Sequence, residues 1–404
     1  MRRVYLDHNA TTPVAPQVFE AMKPYLAEEF GNASSIHSWG QQAKAAVEEA
    51  RESVAQLLGA QPGEIVFTSG GTESDNMAIF GAVEAARTPS GTKRVVTTAI
   101  EHHAVLYAMK ALEQRGICVS YVPVGQSGVV DPRDVERALT PDTILVSVMH
   151  ANNELGTIQP IEEIAAIARN RGISFHTDAV QSVGKISINA KTLGVRLLSL
   201  SAHKLYGPKG VGALYVRRGT TLRPLMYGGH HERDRRPGTE NVAGIVGLGQ
   251  AAELALARMQ EEALQAAMLR DRLEQGLLRA IDDIHVNGDA SRRLPNTSSM
   301  SFAGIDGEGF VISLDLRGIA CSTGAACSSG SLEPSHVLSA IGKNREEARS
   351  TVRFSLGRTN TSQDVDYALE VIPKVVQHLR SLSPTYETVS DQLSAVSHQH
   401  PRVS

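Results

Sequence analysis

A lysine and an aspartate that follow apolar segments of this sequence have the chemistry to hold an aldehyde cofactor. Lys204 lies in the segment 201–210, between two apolar runs, 195–200 and 211–216, that are typical of buried strands. A lysine in such a turn is either an exposed turn residue or a covalent anchor. Asp178 ends an earlier predicted strand. This pair favours the anchor, because pyridoxal phosphate needs a lysine for its Schiff base and an acid for its pyridinium proton.

Other polar groups follow the predicted strands nearer the amino terminus. Gly71 and Thr72 begin a helix, and the free N–H groups of a helix start bind anions such as phosphate, although a plain glycine turn has the same sequence. His102 opens the next helix, where an imidazole can cover a flat ring or move a proton, or can simply be solvated. Asn153 follows a strand and is either a site residue or part of a turn. Their regular order along the chain favours one common site.

The elements that must position these groups alternate between strands and helices. The predicted strands cover 64–68, 94–98, 117–122, 143–149, 173–178, 195–200 and 211–216. The predicted helices cover 16–29, 39–58, 72–87, 102–115, 132–139 and 161–171. This order is typical of an α/β fold with a mostly parallel central sheet covered by helices, whose binding sites lie at the carboxyl ends of the strands.

The pattern changes after residue 216. A loop rich in Gly, Arg and His precedes a long helical stretch, and short strands then mix with helices up to residue 382. We predict a large α/β domain over residues 14–258 and a smaller α+β domain formed by residues 1–13 and 259–383. Residues 384–404 are polar and are predicted to be a disordered tail.

Composition limits the classes of partner. The chain has 404 residues, is 42% hydrophobic and carries a net charge of -3, so we expect neither a nucleic-acid nor an acidic-membrane partner. No apolar run approaches the ~20 residues of a membrane helix, and no apolar core follows the first residues as in a signal peptide. Three cysteines fit a reducing cytoplasm. The adjacent pairs at 102–103 and 230–231 do not predict a metal site, because neighbouring histidines rarely face one ion.

Several motifs together make the chain similar to a known family. They are YLDHNATTP at 5–13, TSGGTESDN at 68–76, EH at 101–102, NNE at 152–154, HTDAVQ at 176–181, SAHK at 201–204 and RPGTEN at 236–241. With them the chain resembles the pyridoxal-phosphate enzymes of fold type I, in the aminotransferase class V branch, and within it the cysteine desulfurases. The resemblance runs from about residue 5 to residue 382.

The resemblance implies a role for each matching residue around the cofactor. Lys204 would be the Schiff-base lysine and Asp178 the partner of the pyridinium nitrogen. Gln181 would bond the ring hydroxyl, and His102 would stack on the ring and take part in catalysis. The implied phosphate ligands are Gly71, Thr72, Ser201, His203 and, from a second subunit, Thr239. The last of these implies a homodimer.

The resemblance also implies how the substrate is held. Asn153 would lie beside both cofactor and substrate. Arg353 matches the arginine that binds the substrate carboxylate, and a guanidinium suits this task because it can form two parallel hydrogen bonds to one carboxylate.

Cys327 lies among small residues in the segment 319–335. Such a composition favours an exposed loop, in which a thiol is reactive when a base or positive charge lowers its pKa; the alternative is a small buried thiol. The segment resembles the loop of the desulfurase group with a long cysteine loop. Family members commonly have SSGSAC where this chain has STGAAC, which leaves Cys327 aligned. We expect Cys321 to be structural; a disulfide between Cys321 and Cys327 is an alternative that the sequence does not decide. We expect Cys118 to lie in the core.

The implied reaction converts L-cysteine to L-alanine and leaves a persulfide on Cys327 for an acceptor or scaffold protein, in iron–sulfur cluster assembly or tRNA thiolation. The carboxyl-terminal tail lacks a recognisable scaffold-docking end, so the acceptor stays open. A selenocysteine lyase or another pyridoxal-phosphate β-lyase would keep Lys204 without needing Cys327. A catalytically silent sulfur-relay protein is a further alternative, against which Lys204, Asp178 and Cys327 together argue.

Overall fold

The computed structural model describes residues 2–88, 90–323 and 334–383, and its main element is a seven-stranded sheet. The strands are β1 Val4–Tyr5, β2 Ile65–Thr68, β3 Arg94–Thr98, β4 Cys118–Val122, β5 Thr143–Ser147, β6 Ser174–Asp178, β7 Leu197–Ser201, β8 Gly212–Val216, β9 Ile284–Asn287, β10 Thr297–Phe302, β11 Ile319–Ala320, β12 Ser322–Thr323 and β13 Thr351–Ser355. The large sheet has the order β2-β8-β7-β6-β5-β3-β4. In the described sheet, β8 runs antiparallel to both of its neighbours, β2 and β7, and the other strand pairs are parallel. The predicted mostly parallel sheet is therefore confirmed.

Helices cover both faces of this sheet. The helices are α1 Pro16–Met22, α2 Pro24–Ala27, α3 Ser38–Leu57, α4 Gly71–Ala85, α5 His103–Gln114, α6 Pro132–Ala138, α7 Ile161–Asn170, α8 Ala190–Leu193, α9 Val242–Ala280, α10 Gly307–Asp315, α11 His336–Ala340, α12 Arg345–Arg349 and α13 Ser362–Leu382. Successive residues of a strand point to opposite faces, so Val66 packs with α4 and α5, whereas Phe67 packs with α3, α7 and α9.

The long helix α9 connects the large sheet to the rest of the chain. Its first half packs against α3, and a Cβ atom at Gly249 would lie 2.6 Å from Ala50 Cα, so only glycine permits this close approach. Its second half contributes Leu269 and Leu273 to a separate core. Contrary to the expectation from the sequence, α9 contains a window long and apolar enough to cross a membrane, but 56% of that window is buried inside the protein.

The separate core lies under a small antiparallel sheet with the order β12-β13-β10-β9. Helices α10 and α13 pack on it, and the amino-terminal strand β1 pairs with β11 in a second small sheet. The first residues of the chain therefore lie with its carboxyl-terminal part. This arrangement supports the division into domains 14–258 and 1–13 with 259–383, which stays a prediction.

Two local predictions were wrong. The single helix expected over 16–29 is divided into α1 and α2, because Pro24 has no N–H to continue α1 and instead begins α2. Cys118 lies in a strand as expected, but it is exposed and not in the core, because β4 is the edge strand of the large sheet. Cys327 and the tail 384–404 lie outside the described residues.

Candidate functional site

The predicted site residues at strand ends lie along one edge of the large sheet. Asp178 ends β6 and pairs in register with Ser199 of β7, two residues before Ser201. Ser201 ends β7 and pairs with Gly212, which in turn pairs with Thr68 at the end of β2. The antiparallel β8 thus begins at the edge where the parallel strands end. This register brings the glycine turn, Ser201 and the Asp178 strand end to the same edge.

The turn between β2 and α4 forms a narrow cradle. Gly70 has φ +152°, and a Cβ atom there would meet only Ser201 Oγ, at 3.8 Å. A Cβ atom at Gly71 would lie 2.7 Å from Val180 Cγ2, and one at Gly212 would lie 2.6 Å from the Leu200 carbonyl. The backbone is therefore packed tightly below the turn. The N–H groups at the start of α4 have no carbonyl partners within the helix, which makes this end suited to an anion.

The amino-terminal segment holds the lysine turn. Lys204 lies in a short 3₁₀ turn after β7, and its Nζ donates to the Asn9 carbonyl at 2.5 Å and to the Ala10 carbonyl at 2.7 Å. His203 Nδ1 lies 3.1 Å from Thr11 Oγ1. Burial, followed by the charge of Lys204, lowers the pKa of His203 to about 4. A neutral His203 can donate or accept one hydrogen bond beside the lysine.

His102 is the N-cap of α5 and directly follows the buried Glu101. The Glu101 carboxylate accepts from Thr98 Oγ1 at 2.6 Å and from the Met149 N–H at 3.0 Å, and so ties the ends of β3 and β5 together. His102 Nδ1 accepts from the Ala104 N–H at 3.2 Å. Burial, followed by the charge of Lys204, lowers the pKa of His102 to about 4, so the ring is neutral with its proton on Nε2.

Asp178 lies in a buried acidic environment. Its Oδ1 accepts from the Val180 N–H at 2.9 Å. Burial, followed by the charge of Asp75, raises the pKa of Asp178 to about 7. Asp75 is fully buried, with His176 Nε2 3.5 Å from its Oδ1 and a side-chain hydrogen bond with Ser199 that partly offsets the effect of burial on its pKa. A cation placed against Asp178 would be strongly favoured, because an opposite charge stabilises a buried carboxylate.

The remaining predicted residues surround this edge. Gln181 Nε2 donates to the Asn9 carbonyl at 3.0 Å. Arg353 is buried, its Nη1 donates to the Asn153 carbonyl at 2.9 Å, and its Nη2 forms an ion pair with Asp7 Oδ1 at 2.7 Å. The structure therefore joins Gln181, Asn153 and Arg353 through the amino-terminal segment.

Thr72 and Thr239 are exposed. The loop that carries Thr239 is tied to the start of α4, since Arg236 Nε donates to Glu73 Oε1 at 2.8 Å. Cys321 is buried, and burial raises the pKa of its thiol, as expected for a structural cysteine. Cys327 lies outside the described residues, so its place in the site stays a prediction.

Sequence reasoning missed the central role of Asn9. Its backbone carbonyl accepts from Lys204 and Gln181, and its side chain bonds the Asn153 carbonyl and Lys185 Nζ at 3.2 Å each. The motif 5–13 supported the family resemblance, but no residue in it was assigned to the site. The only available signal was that a polar segment followed a short strand. Among the described residues, no group of three or more His, Cys, Asp or Glu side chains could hold a metal ion.

Comparison with known proteins gives the family. The aminotransferase class-V family model matches residues 4–368. The chain is 53% identical over 383 residues to a protein of Dictyoglomus turgidum named cysteine desulfurase IscS, covering 95% of this chain and 97% of that protein. A protein of the same name from Methanosarcina thermophila is 52% identical over 383 residues, with coverage of 95% and 94%.

Solved structures agree with this assignment. One described as a NifS-like protein matches with a TM-score of 0.88 and 42% identity, over 93% of this chain and 100% of that chain. Another, described as SspA in complex with cysteine, matches with a TM-score of 0.79 and 38% identity, over 89% of this chain and 100% of that chain. The predicted fold type I and the predicted family are confirmed. The chain belongs to the cysteine desulfurases of the aminotransferase class V family.

Proposed function

We propose that this chain is a pyridoxal-phosphate-dependent cysteine desulfurase that converts L-cysteine to L-alanine and retains the sulfur as a persulfide on Cys327. The observation that supports the proposal is that Lys204 follows β7 at the sheet edge where the neighbouring strand β6 ends on the buried Asp178. The charge of Lys204 also affects the pKa of both Asp178 and His102.

The residues fit this cofactor. The glycine turn and the start of α4 suit a phosphate group, which Gly71, Thr72, Ser201 and His203 would hold. The buried carboxyl of Asp178 suits a pyridinium nitrogen, because a cation there would relieve the unfavourable burial of acid. Gln181 would form a hydrogen bond with the ring hydroxyl, and His102 would stack on the ring. Lys204 would attach the cofactor covalently. When bound, the cofactor supplies an electron sink for the carbanion that forms at the substrate α-carbon.

The chain's own residues would carry out the substrate steps. Arg353 and Asn153 would bind the substrate so that its α-hydrogen faces Lys204, and Lys204 would accept that proton. The thiolate of Cys327 would then attack the substrate sulfur. The carbon–sulfur bond breaks, its electron pair stays on the carbon side and is protonated, and alanine leaves. Cys327 carries the persulfide to an acceptor or scaffold protein, in iron–sulfur cluster assembly or tRNA thiolation.

We also propose that the enzyme is a homodimer in which the partner subunit's Thr239 completes each phosphate site. Large apolar side chains are exposed in the loop that carries Thr239 and in the segment between α2 and α3, among them Ile36 at 94%, Tyr227 at 86% and Phe30 at 74%. Ile36 lines the same cavity as His230 and Arg233 of that loop. Such a surface is typical of a protein interface. A cytoplasmic location is proposed because Cys118 and Cys321 are free thiols.

The proposal is tested by locating the covalent bond to the cofactor. The purified protein should be yellow, and borohydride reduction should attach the cofactor permanently to the peptide that contains Lys204. Lys209, five residues later and exposed, is the internal control. Attachment at another lysine, or no attachment, would refute the assignment of Lys204.

A further inference from the structure

The side-chain amide of Gln181 is held in one orientation by two neighbours. Its Oε1 accepts from Lys185 Nζ at 2.8 Å, and its Nε2 donates to the Asn9 carbonyl at 3.0 Å. The Asn9 carbonyl can only accept, so the amide nitrogen of Gln181 must face Asn9 and the amide oxygen faces Lys185. An N–H of the Lys185 amine directed at this oxygen matches that orientation and holds it.

The spacing of Gln181 and Lys185 makes this contact geometrically natural. The chain after β6 forms consecutive helical turns, in which the Val183 N–H donates to the Ala179 carbonyl and the Ile186 N–H donates to the Ser182 carbonyl. Residues four apart in such turns lie on the same side. Lys185 is thus placed directly behind the Gln181 amide.

The same contacts reach Lys204. Lys185 Nζ also donates to Asn9 Oδ1 at 3.2 Å, and the Asn9 carbonyl accepts from both Gln181 and Lys204. Lys185, Asn9, Gln181 and Lys204 therefore form one connected hydrogen-bond network, and a change at Lys185 can be transmitted to Gln181 without moving the sheet.

We propose that Lys185 is a positioning residue for the cofactor site. It fixes the Gln181 amide so that an N–H group of the amide, and not the amide oxygen, faces the ring hydroxyl oxygen of the bound cofactor. The inference rests on the proposed function. An N–H donor stabilises an ionised ring oxygen, whereas a carbonyl turned toward it would repel it. Lys185 thereby controls the ionisation of the cofactor without touching its reacting atoms.

Several charged or titratable groups surround Lys185. They could also affect the titration of the cofactor, so each variant below keeps them. They are His8 of the amino-terminal segment, His203 and Lys204 of the lysine turn, Glu262 of α9, Arg353 of β13 and Arg358 after it. Burial lowers the pKa of Lys185 well below its ordinary value, and the charges of Lys204 and Arg353 lower it further. Lys185→Met removes the amine and keeps a side chain of similar length.

The first experiment compares Lys185→Met with Lys191→Met, which removes an exposed lysine from the nearby helix α8. The readout is the pH midpoint at which the cofactor absorbance band changes in the holoenzyme. Without the fixed donor, the hydroxyl oxygen on the cofactor ring becomes more basic. The proton on the nitrogen that joins Lys204 to the cofactor is then held more tightly, so Lys185→Met should raise the midpoint by about one pH unit. Lys191→Met should leave it unchanged, and Lys185→Arg, which keeps a donor, should restore most of the wild-type value.

The second experiment asks whether Lys185 acts through Gln181. In a Gln181→Leu background, Lys185→Met should cause no additional shift, because the amide that it positions is absent. Shifts that add would overturn the proposal and indicate a direct charge effect. An unmoved midpoint in Lys185→Met, with wild type normal, would also overturn it and would leave the desulfurase assignment intact. A wild-type protein without the cofactor band would refute the proposed function itself, and this inference with it.

Discussion

The buried Arg353 forms an ion pair with the partly exposed Asp7, with Nη2 and Oδ1 2.7 Å apart, and so joins β13 to the segment after β1. The second terminal nitrogen of Arg353 donates to the Asn153 carbonyl at 2.9 Å. The guanidinium is thus oriented by two fixed neighbours before any substrate binds. Such preorganisation lowers the cost of aligning a carboxylate substrate.

This arrangement predicts the effect of changing Arg353. Lys can supply one charge but not two parallel hydrogen bonds, so Arg353→Lys should raise KM for L-cysteine about 10- to 100-fold. The measurement is alanine formation at increasing L-cysteine. Arg349→Lys, at an exposed position just before the same strand, serves as the control. An unchanged KM in Arg353→Lys would rule out a role in carboxylate binding.

The buried acid Asp75 predicts a pH-dependent stability. Burial raises the pKa of Asp75 to about 7, above the ~3.9 of an unfolded aspartate. Between these values the folded state binds a proton that the unfolded state lacks, so Asp75 lowers stability progressively as pH rises through this window. Asp75→Asn should therefore stabilise the cofactor-free protein more at pH 8 than at pH 5. Thermal melting at the two pH values measures the difference, and a gain that does not depend on pH would contradict the prediction.

Cys321 and Cys327 should have different roles, the first structural and the second catalytic. Cys321 is buried with a thiol whose pKa is raised, so it is a poor nucleophile. Cys321→Ala should keep the cofactor band and most of the activity, with about 1 kcal/mol of lost stability from the small cavity. Cys327→Ala should keep the band but release almost no alanine from L-cysteine. If Cys327→Ala desulfurates L-cysteine at a rate near wild type, the protein acts instead as a selenocysteine lyase or related β-lyase.

If the proposed homodimer shares its phosphate site between subunits, two impaired variants should complement each other. Heterodimers of Lys204→Ala and Thr239→Ala chains contain one site with both wild-type residues, namely Lys204 of one chain and the partner's Thr239. Purified by two different tags, they should show up to about half of wild-type activity. Pure heterodimers that stay as impaired as the parent variants would argue against a phosphate site shared between subunits.

The sequence was most informative where local pattern decides structure. Alternating strands and helices predicted the sheet, and the polar residue after each strand predicted which edge carries the site, as Asp178 and Ser201 show. Contacts between distant segments could not be predicted in this way. Nothing local indicates that Asn9 reaches Lys204, 195 positions later, or that β4 lies at the edge and exposes Cys118. Strand order and long-range polar contacts depend on the tertiary fold.

Sulfur transfer from L-cysteine should require both Lys204 and Cys327. The most direct test incubates the holoenzyme with L-cysteine, quantifies alanine, and maps persulfide by mass spectrometry of alkylated peptides. We predict alanine in wild type with the persulfide on the Cys327 peptide, and neither product in Lys204→Ala. Alanine formed without any persulfide on Cys327, or persulfide formed in the absence of Lys204, would show that these two residues do not act together in sulfur transfer.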